Sequence, residues 1–285
     1  MAYQIEYAYT SHIGKVRGNN EDNFWCCGET MKADNLGTEG VLVGRAAQSQ
    51  NPVLAVFDGM GGESCGEIAA YLAADACGRH YQANKADLKN VPEQFLDEIS
   101  RSMNHAVCEY SLENRVRSMG TTMVMLAMGD EAVYACNVGD SRLYQADNGR
   151  FCQISVDHVL KGGPFGKAPL TQYVGIPEDS MGLEPYIRKL ECRPGMRYLL
   201  CSDGMTDMLS DGEIADILTR EIPVQEAVEI LLERALKKGG RDNVTIILCE
   251  IREAERRNRL FQWLENRRRQ CGGLQNEKSD AGSGL

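Results

Sequence analysis

The 285-residue sequence predicts an α+β protein in which β-sheets pack between layers of helices. Three observations support this class. Amphipathic segments come in pairs, apolar runs of strand length lie before, between and after those pairs, and Gly, Asp and Asn mark the turns between the runs. The predicted helix pairs are residues 64–82 with 92–117, and residues 211–220 with 223–237.

The N-terminal quarter predicts strands that lead to one carboxylate. Residues 3–10 alternate loosely and predict a first strand, residues 24–27 a second, and residues 31–50 a hairpin or loop. Residues 53–57 are an apolar run typical of a buried strand. The run ends on Asp58, which three glycines follow within four residues. A strand that leads a single Asp into a Gly-rich turn brings charge and backbone close to a ligand.

The helices and remaining strands follow from spacing and turn residues. Apolar side chains recur at helical spacing after residue 64, and Pro92 followed by acids marks the start of the second helix. The later strands are predicted at residues 121–128, 132–138, 141–146, 151–154, 186–192, 198–201 and 244–251. Residues 157–179 are rich in Gly and Pro and predict an exposed loop or flap.

These elements define one domain over residues 1–252, with a shortened flap near 157–179. Residues 253–270 predict a basic C-terminal helix, whose arginines are typical of a solvated face. Residues 271–285 are polar and rich in Gly and Ser, which predicts a disordered tail.

Composition excludes several classes of protein. A net charge of −10 argues against nucleic acid as the main partner. The 11 cysteines contain no C-x-x-C pair, which favours reduced thiols in a cytoplasmic protein and disfavours a zinc site. No signal peptide is recognised, and no apolar run approaches the roughly 20 residues of a membrane helix, so no membrane partner is expected.

Acidic residues at strand ends suggest a metal site. Asp140, Asp203 and Asp242 each stand at a turn next to a predicted strand, as Asp58 does. The segment from Arg17 to Asp22 adds one fixed cation and the acids Glu21 and Asp22. Carboxylates are preferred ligands of Mg²⁺ and Mn²⁺, and two such ions about 3.5–4 Å apart suit phosphoryl transfer. Each fragment alone is also typical of an ordinary turn or surface, so the prediction depends on their combination.

The combination resembles the metal-dependent protein phosphatase family of the protein phosphatase 2C type, in its short bacterial form. The resemblance spans residues 3–251. The motifs that carry it are Arg17-x-x-Asn20-Glu21-Asp22, Asp58-Gly59-x-Gly61-Gly62, Gly120-Thr121-Thr122, Gly139-Asp140-Ser141-Arg142, Asp157-His158, Leu170-Thr171-x-x-x-Gly175, Ser202-Asp203-Gly204 and Asp242-Asn243.

The resemblance implies a four-layer αββα sandwich, in which helix pairs flank two antiparallel sheets. It implies two Mn²⁺ or Mg²⁺ ions, with a third, weaker ion in bacterial relatives. Asp58 would bridge the two ions, and the remaining ligands would be Gly59 through its carbonyl, Asp203, Asp242, Glu21, Asp22 and, for the third ion, Asp140. Arg17 would bind the substrate phosphate, so Arg17 and Asp58 are the expected catalytic residues. A water activated by metal would attack phosphorus without a phosphoenzyme.

Two departures from the family pattern bear on mechanism. Position 60 is Met rather than the His of many eukaryotic relatives, and Met cannot donate a proton to the leaving group. A metal-bound water is the favoured donor, while His158 is a less favoured substitute, because an Asp-His pair in a turn is more often structural. The short flap affects substrate selection more than catalysis.

The function that follows is a protein serine/threonine phosphatase. Its expected partners are phosphorylated proteins, in particular a Ser/Thr kinase or the substrates of that kinase, and a monomer is expected. Two alternatives stay open. One is a relative of the same fold that binds phosphoproteins without catalysis, and the other is a phosphatase dedicated to a single regulator.

Overall fold

The computed structural model describes residues 3–61, 65–116, 118–160, 168–178 and 181–254. Met1–Arg252 form one compact unit. A second unit, Glu253–Leu285, is described only at residues 253 and 254. None of the described helices has the length and apolar character to span a membrane.

The described residues form twelve strands, five α-helices and a short 3-10 helix at Gln48–Gln50. The strands are β1 (Tyr3–His12), β2 (Asp22–Cys26), β3 (Leu42–Ala47), β4 (Val53–Gly61), β5 (Met119–Thr121), β6 (Met123–Met128), β7 (Val133–Val138), β8 (Arg142–Asp147), β9 (Arg150–Gln153), β10 (Tyr186–Leu190), β11 (Arg197–Cys201) and β12 (Val244–Glu253). The helices are α1 (Gly66–Asn90), α2 (Pro92–Asn114), α3 (Asp203–Thr206), α4 (Asp211–Leu218) and α5 (Val224–Lys237).

The strands form two antiparallel sheets. The first sheet has the order β3-β1-β12-β11-β8-β9. The second has the order β10-β7-β6-β4-β2, and β5 pairs with the end of β4. Side chains that alternate along a strand point to opposite faces of its sheet, and the cores they enter show how the sheets stack. Leu54 and Val56 of β4 enter an apolar core shared with β12, whereas Val53 and Phe57 enter a core shared with α1 and α2.

A third core lies on the other face of the first sheet, where Ile246 and Leu248 of β12 pack against α4 and α5. The three cores define four layers, with α1 and α2 outside one sheet and α4 and α5 outside the other. The predicted αββα sandwich with two antiparallel sheets is therefore confirmed.

Small side chains allow α1 to approach the second sheet closely. The helix buries a face that consists mainly of alanine. At Gly78 an added Cβ would lie 2.3 Å from the indole ring of Trp25, so a larger residue would displace the helix. This contact fixes α1 beside β2, the strand whose first residue is Asp22.

Several predicted boundaries are wrong. Residues 42–47, placed in a hairpin or loop, form the edge strand β3, because they pair with β1. The first helix continues to Asn90 through a kink at Asn84, and the second ends at Asn114, where Arg115 turns into the left-handed region. The helix predicted at residues 211–220 is α4, and it ends at Leu218.

The predicted strand 121–128 is divided. β5 ends at Thr121 and β6 starts at Met123, because Thr122 turns its backbone N–H to the Asp58 carbonyl, at 2.9 Å. β2 ends at Cys26, so Cys27 lies in a turn. β12 includes Glu253, so the predicted C-terminal helix does not begin there. Residues 255–270 of that helix, the predicted tail and residues 161–167 and 179 of the predicted flap lie outside the described residues.

Candidate metal centre

Strand pairing in the second sheet brings two predicted ligands together. Asp22 at the start of β2 is paired directly with Asp58 in β4. The Asp22 side chain is buried and accepts a hydrogen bond of 2.7 Å from the Ser202 hydroxyl. Burial, and next the neighbouring Asp58 carboxylate, raise the pKa of Asp22 well above its usual range. A buried carboxylate next to a second carboxylate is stabilised by a bound cation.

The first sheet supplies Asp203 and Asp242. β11 and β12 are antiparallel, so the end of β11 lies beside the start of β12. Ser202 and Thr245 exchange hydrogen bonds at this edge: the Ser202 N–H donates to the Thr245 carbonyl and the Thr245 N–H donates to Ser202 Oγ. Asp203, which starts α3, is 5% exposed.

Position 204 requires a glycine. An added Cβ would lie 1.9 Å from the Asn243 carbonyl oxygen and 3.3 Å from the Asp242 Cβ. The close approach shows that the Asp203 and Asp242 segments are in contact. The Ser202–Asp22 hydrogen bond joins this edge to the second sheet.

The N-terminal motif adds Arg17 and Glu21. Arg17 Nη2 donates a hydrogen bond of 2.7 Å to Asp242 Oδ2, and this bond is the largest cause that raises the pKa of Arg17. The Glu21 N–H donates to Asn243 Oδ1 at 2.8 Å, while the Glu21 carbonyl accepts from the Gly59 N–H at 3.1 Å. Burial raises the pKa of Glu21. Glu21 therefore lies against both the β4 end and the β12 start.

Asp140 lies in the turn between β7 and β8, beside Gly139 at φ 99°. The next residue, Ser141, shares a hydrogen bond of 2.6 Å with the Thr122 hydroxyl. Thr122 Oγ1 in turn accepts a hydrogen bond from the Asp58 N–H at 3.1 Å. The turn that carries Asp140 is thus attached to the Asp58 strand end.

His158 supports this turn. Its Nδ1 accepts a hydrogen bond from the Gly139 N–H, and burial lowers its pKa. The preceding Asp157 accepts three hydrogen bonds from Arg142, two from Nε and one from Nη2. A histidine that is neutral and holds a backbone group supports the structural interpretation rather than the role of proton donor.

The donor set fits hard divalent cations. All predicted ligands offer oxygen, and five carboxylates, those of Glu21, Asp22, Asp58, Asp203 and Asp242, lie at one end of the two sheets, with Arg17 paired to one of them. Among the described residues, no group of three or more His, Cys, Asp or Glu side chains is arranged to hold a metal ion. Two of the acids already have partners, since Asp242 pairs with Arg17 and Asp22 accepts a hydrogen bond from Ser202.

A supporting network was not assigned by sequence reasoning. Hydroxyl and amide side chains beside the acids fix the backbone that carries them; they are Thr122, Ser141, Ser202, Asn243 and Thr245. The first four stand in the motifs quoted above but received no role. Two sequence features could have identified these four residues. Three of them are a Ser or Asn directly adjacent to an acid, and Thr122 belongs to the Gly120-Thr121-Thr122 motif at a strand end.

Two cavities differ in their relation to these acids. A cavity of about 370 Å³ is lined by residues at the end of β4 and opposite it, namely Met60, Gly61, Ser118, Met119, Leu170 and Tyr173. A larger groove of about 1300 Å³ contains none of the predicted site residues. The smaller cavity adjoins the candidate centre.

Comparison with known proteins finds similar phosphatases. The chain is 28% identical over 266 residues to the protein phosphatase PhpP of Streptococcus pneumoniae, which covers 88% of this chain and 99% of PhpP. It is 30% identical over 259 residues to the serine/threonine protein phosphatase PstP of Mycobacterium tuberculosis, which covers 87% of this chain and 45% of PstP.

A crystal structure of the catalytic domain of PstP in complex with two manganese ions has a TM-score of 0.69 and 28% identity, covering 88% of this chain and 100% of that one. The family model for protein phosphatase 2C matches residues 43–244. That range is more than half of the chain and includes Asp58, Asp140, Asp203 and Asp242. The chain belongs to the protein phosphatase 2C family.

Proposed function

We propose that this protein is a protein serine/threonine phosphatase that hydrolyses phosphoserine and phosphothreonine and depends on Mn²⁺ or Mg²⁺. One observation carries the proposal. The two sheets bring Asp22 and Asp58 from one side, and Asp203 and Asp242 from the other, to a common end linked by the Ser202–Asp22 hydrogen bond. The family and the manganese-containing relative support the same interpretation.

The residues of the chain have separate tasks in this reaction. When bound, Mn²⁺ or Mg²⁺ supplies a Lewis acid that acidifies water and neutralises phosphoryl oxygens. Asp58, Asp203 and Asp242 would hold the ions, with Glu21, Asp22 and the Gly59 carbonyl around them, and Asp140 would serve a third ion. Arg17 offers its guanidinium fork to a phosphate, since 48% of its side chain is exposed beside the acids.

The cavity next to β4 is where a side chain beside the phosphorylated residue would lie. Met60 and Tyr173 line it. Both side chains pack closely against Gly120, where an added Cβ would lie 3.1 Å from Met60 and 2.6 Å from Tyr173. The lining therefore favours an apolar neighbour over a charged one.

We further propose a Ser/Thr kinase or its substrates as the physiological partner, a monomeric enzyme, and a cytoplasmic location. The named relatives are protein phosphatases, which supports phosphoproteins as the substrate class. The absence of C-x-x-C pairs among 11 cysteines supports a reducing compartment.

A binding protein without catalysis is the competing function. It would keep the fold and lose ligands. All of the predicted metal ligands are present in the sequence, and the described contacts hold their backbone in place, so catalysis is favoured.

The test is hydrolysis of p-nitrophenyl phosphate and a phosphothreonine peptide after chelation, with Mn²⁺ titrated back. Asp203→Asn removes a predicted ligand, while Asp207→Asn changes an exposed Asp four residues away and serves as the control. We expect turnover that requires Mn²⁺, is lost in Asp203→Asn and persists in Asp207→Asn. Absence of turnover of both substrates, with Mn²⁺ shown to bind, would favour the binding protein.

A further inference from the structure

A buried asparagine of α2 holds the segment that forms one wall of the cavity next to β4. Asn104 is 3% exposed, and α2 buries the apolar side chains of Met103 and Val107 beside it. Its Oδ1 accepts hydrogen bonds from the Gly175 N–H at 2.7 Å and the Ile176 N–H at 2.9 Å, and its Nδ2 donates to the Ile176 carbonyl at 3.0 Å. A buried amide is costly unless it is hydrogen-bonded, so these bonds offset its burial. Asn104 therefore connects α2 to residues 175 and 176.

The segment that Asn104 holds is also attached to β5. The Thr121 N–H donates to the Val174 carbonyl at 2.9 Å, and the Val174 N–H donates to the Thr121 carbonyl at 2.8 Å. The chain then turns at Gly175, which has φ 108° and where an added Cβ would lie 2.8 Å from Val107 Cγ1. Asn104 accepts hydrogen bonds from the two N–H groups that follow this pairing. The segment is therefore fixed from two sides, by β5 and by α2.

Tyr173 comes directly before these anchored residues and lines the cavity. Met60 lines it as well, two residues after Asp58 in β4. The Tyr173 ring packs against Gly120, where an added Cβ would lie 2.6 Å from Tyr173 Cδ2. The position of the ring relative to the candidate metal centre therefore depends on the backbone that Asn104 holds.

We propose that Asn104 is a positioning residue for substrate selection, which fixes Tyr173 as the wall that contacts an apolar residue beside the phosphorylated Ser or Thr. The substrate class rests on the proposed function, and the new element is the residue that sets peptide preference. An apolar neighbour packs on Met60 and Tyr173. The described lining contains no cation, so a carboxylate would lose water there without gaining a counter-charge. Release of the segment would move Tyr173 and reduce the preference.

Ser100 provides a matched control on the same helix. It lies four residues, about one turn, before Asn104 and is fully buried. Its hydroxyl donates to the Leu96 carbonyl at 2.7 Å and lies 3.6 Å from Cys136 Sγ, so these contacts are with α2 and β7. Ser100→Ala and Asn104→Ala both remove a buried polar group from α2, and only the second removes the hydrogen bonds to residues 175 and 176.

The first experiment compares two phosphothreonine peptides, which carry either Leu or Asp on both sides of the phosphothreonine. The preference is the ratio of kcat/KM for the Leu peptide to that for the Asp peptide, at saturating Mn²⁺. We expect a preference of about tenfold in the wild type, about fivefold lower in Asn104→Ala and unchanged in Ser100→Ala. An unchanged preference in Asn104→Ala, an equal fall in Ser100→Ala, or no preference in the wild type would overturn the proposal.

Two further variants separate positioning from stability. Asn104→Asp keeps an acceptor for the Gly175 and Ile176 N–H groups but adds a buried charge, so it should lower Tm and retain most of the preference. Tyr173→Ala should lower the preference by itself, and adding Asn104→Ala should lower it little further, because both changes act on the same wall. A preference that falls in step with Tm in both Asn104 variants, or additive losses in the double variant, would refute the positioning role.

Measurements that need no turnover separate this proposal from the proposed function. By NMR, the Gly175 and Ile176 amides should exchange hydrogen about tenfold faster in Asn104→Ala than in the wild type, with no change in Ser100→Ala. Unchanged exchange in Asn104→Ala would overturn the proposal. Dissociation constants of the two peptides give the preference without catalysis. If the wild type fails to hydrolyse p-nitrophenyl phosphate, the proposed function fails, and the ratio of dissociation constants still decides the role of Asn104.

Discussion

Two groups of charged side chains in this molecule differ in the balance of acids and bases. In the first sheet, Arg197 of β11 pairs with Glu250 of β12 through Nε and Oε2 at 2.9 Å, and both side chains are less than 10% exposed. The Arg197 guanidinium also donates to the backbone carbonyls of Leu218, Arg220 and Ile222. The buried Arg197 and Glu250 therefore compensate each other, Glu250 Oε1 also contacts Nε of the half-exposed Arg252 at 3.0 Å, and the remaining Arg197 donors hold the end of α4.

The group around Asp22 consists mostly of acids. Asp22 is opposite Asp58, and Asp203 and Asp242 lie at the adjoining edge, while Arg17 reaches Asp242 from a half-exposed position. Neighbouring carboxylates raise the pKa of one another and are stabilised by a bound cation. The comparison indicates that a buried ion pair supports the fold, whereas a cluster of neighbouring acids marks a place for a cation.

The largest effect is expected at the acid cluster around Asp22 and Asp58. Asp58→Asn removes the carboxylate at the centre of the strand pairing, so metal-dependent turnover should fall about 1000-fold or more while the fold persists. Asp147→Asn is the control, because Asp147 also ends a strand but pairs with Arg193. Steady-state kinetics with saturating Mn²⁺ measure the change. Full activity in Asp58→Asn would refute the metal assignment.

Breaking the Arg197–Glu250 pair should lower stability rather than activity. Glu250→Gln leaves the Arg197 charge buried without its partner, which should lower the free energy of unfolding by about 3–5 kcal/mol. Urea denaturation measures this loss, with Glu191→Gln as the exposed control, whose partner Arg193 is also bound by Asp147. At a temperature where the variant is folded, its turnover per molecule should match the wild type. A stable variant with impaired turnover would reverse the assignment of roles.

Asp22→Asn should raise the stability of the metal-free protein, whereas Glu250→Gln should lower stability. The amide keeps an acceptor for Ser202 and removes a charge that burial and Asp58 disfavour. In chelator, the free energy of unfolding should rise by about 1–2 kcal/mol, as is common when a strained site is relieved. The increase in Tm on adding Mn²⁺ should shrink relative to the wild type, since ligand binding adds less stability. Destabilisation in chelator would show that the Asp22 charge is already compensated.

Sequence reasoning located the acids better than it located their supports. Most predicted ligands stand next to a strand end that the apolar runs made visible, although β4 continues past Asp58 to Gly61, and the order of elements followed from turn residues between those runs. The Arg197–Glu250 pair was not predicted, because it joins residues 53 positions apart through strand register, which spacing along the chain does not reveal. β3 was missed for a similar reason, since an edge strand with mostly exposed side chains lacks an apolar pattern.

The sequence also did not predict which side chains the acids contact. Arg17 was assigned to substrate phosphate, and the structure pairs it with Asp242. Both roles draw on the same fork of donors, so the local sequence cannot separate them. Thr122 was likewise predicted only as a strand residue, yet its hydroxyl hydrogen-bonds both to the Asp58 strand and to the turn that carries Asp140.

The smallest stability effect is expected for the Arg17–Asp242 pair, which also tests the link between the site and its substrate. Because about half of the Arg17 side chain is exposed, Arg17→Ala should change the free energy of unfolding by less than about 1 kcal/mol. Arg45→Ala, which breaks the exposed pair with Glu6, should do the same. Only Arg17→Ala should raise KM for a phosphothreonine peptide, by about tenfold, because it alone removes charge-assisted donors to phosphate. Equal KM values in the two variants would assign Arg17 to holding Asp242 rather than to binding substrate.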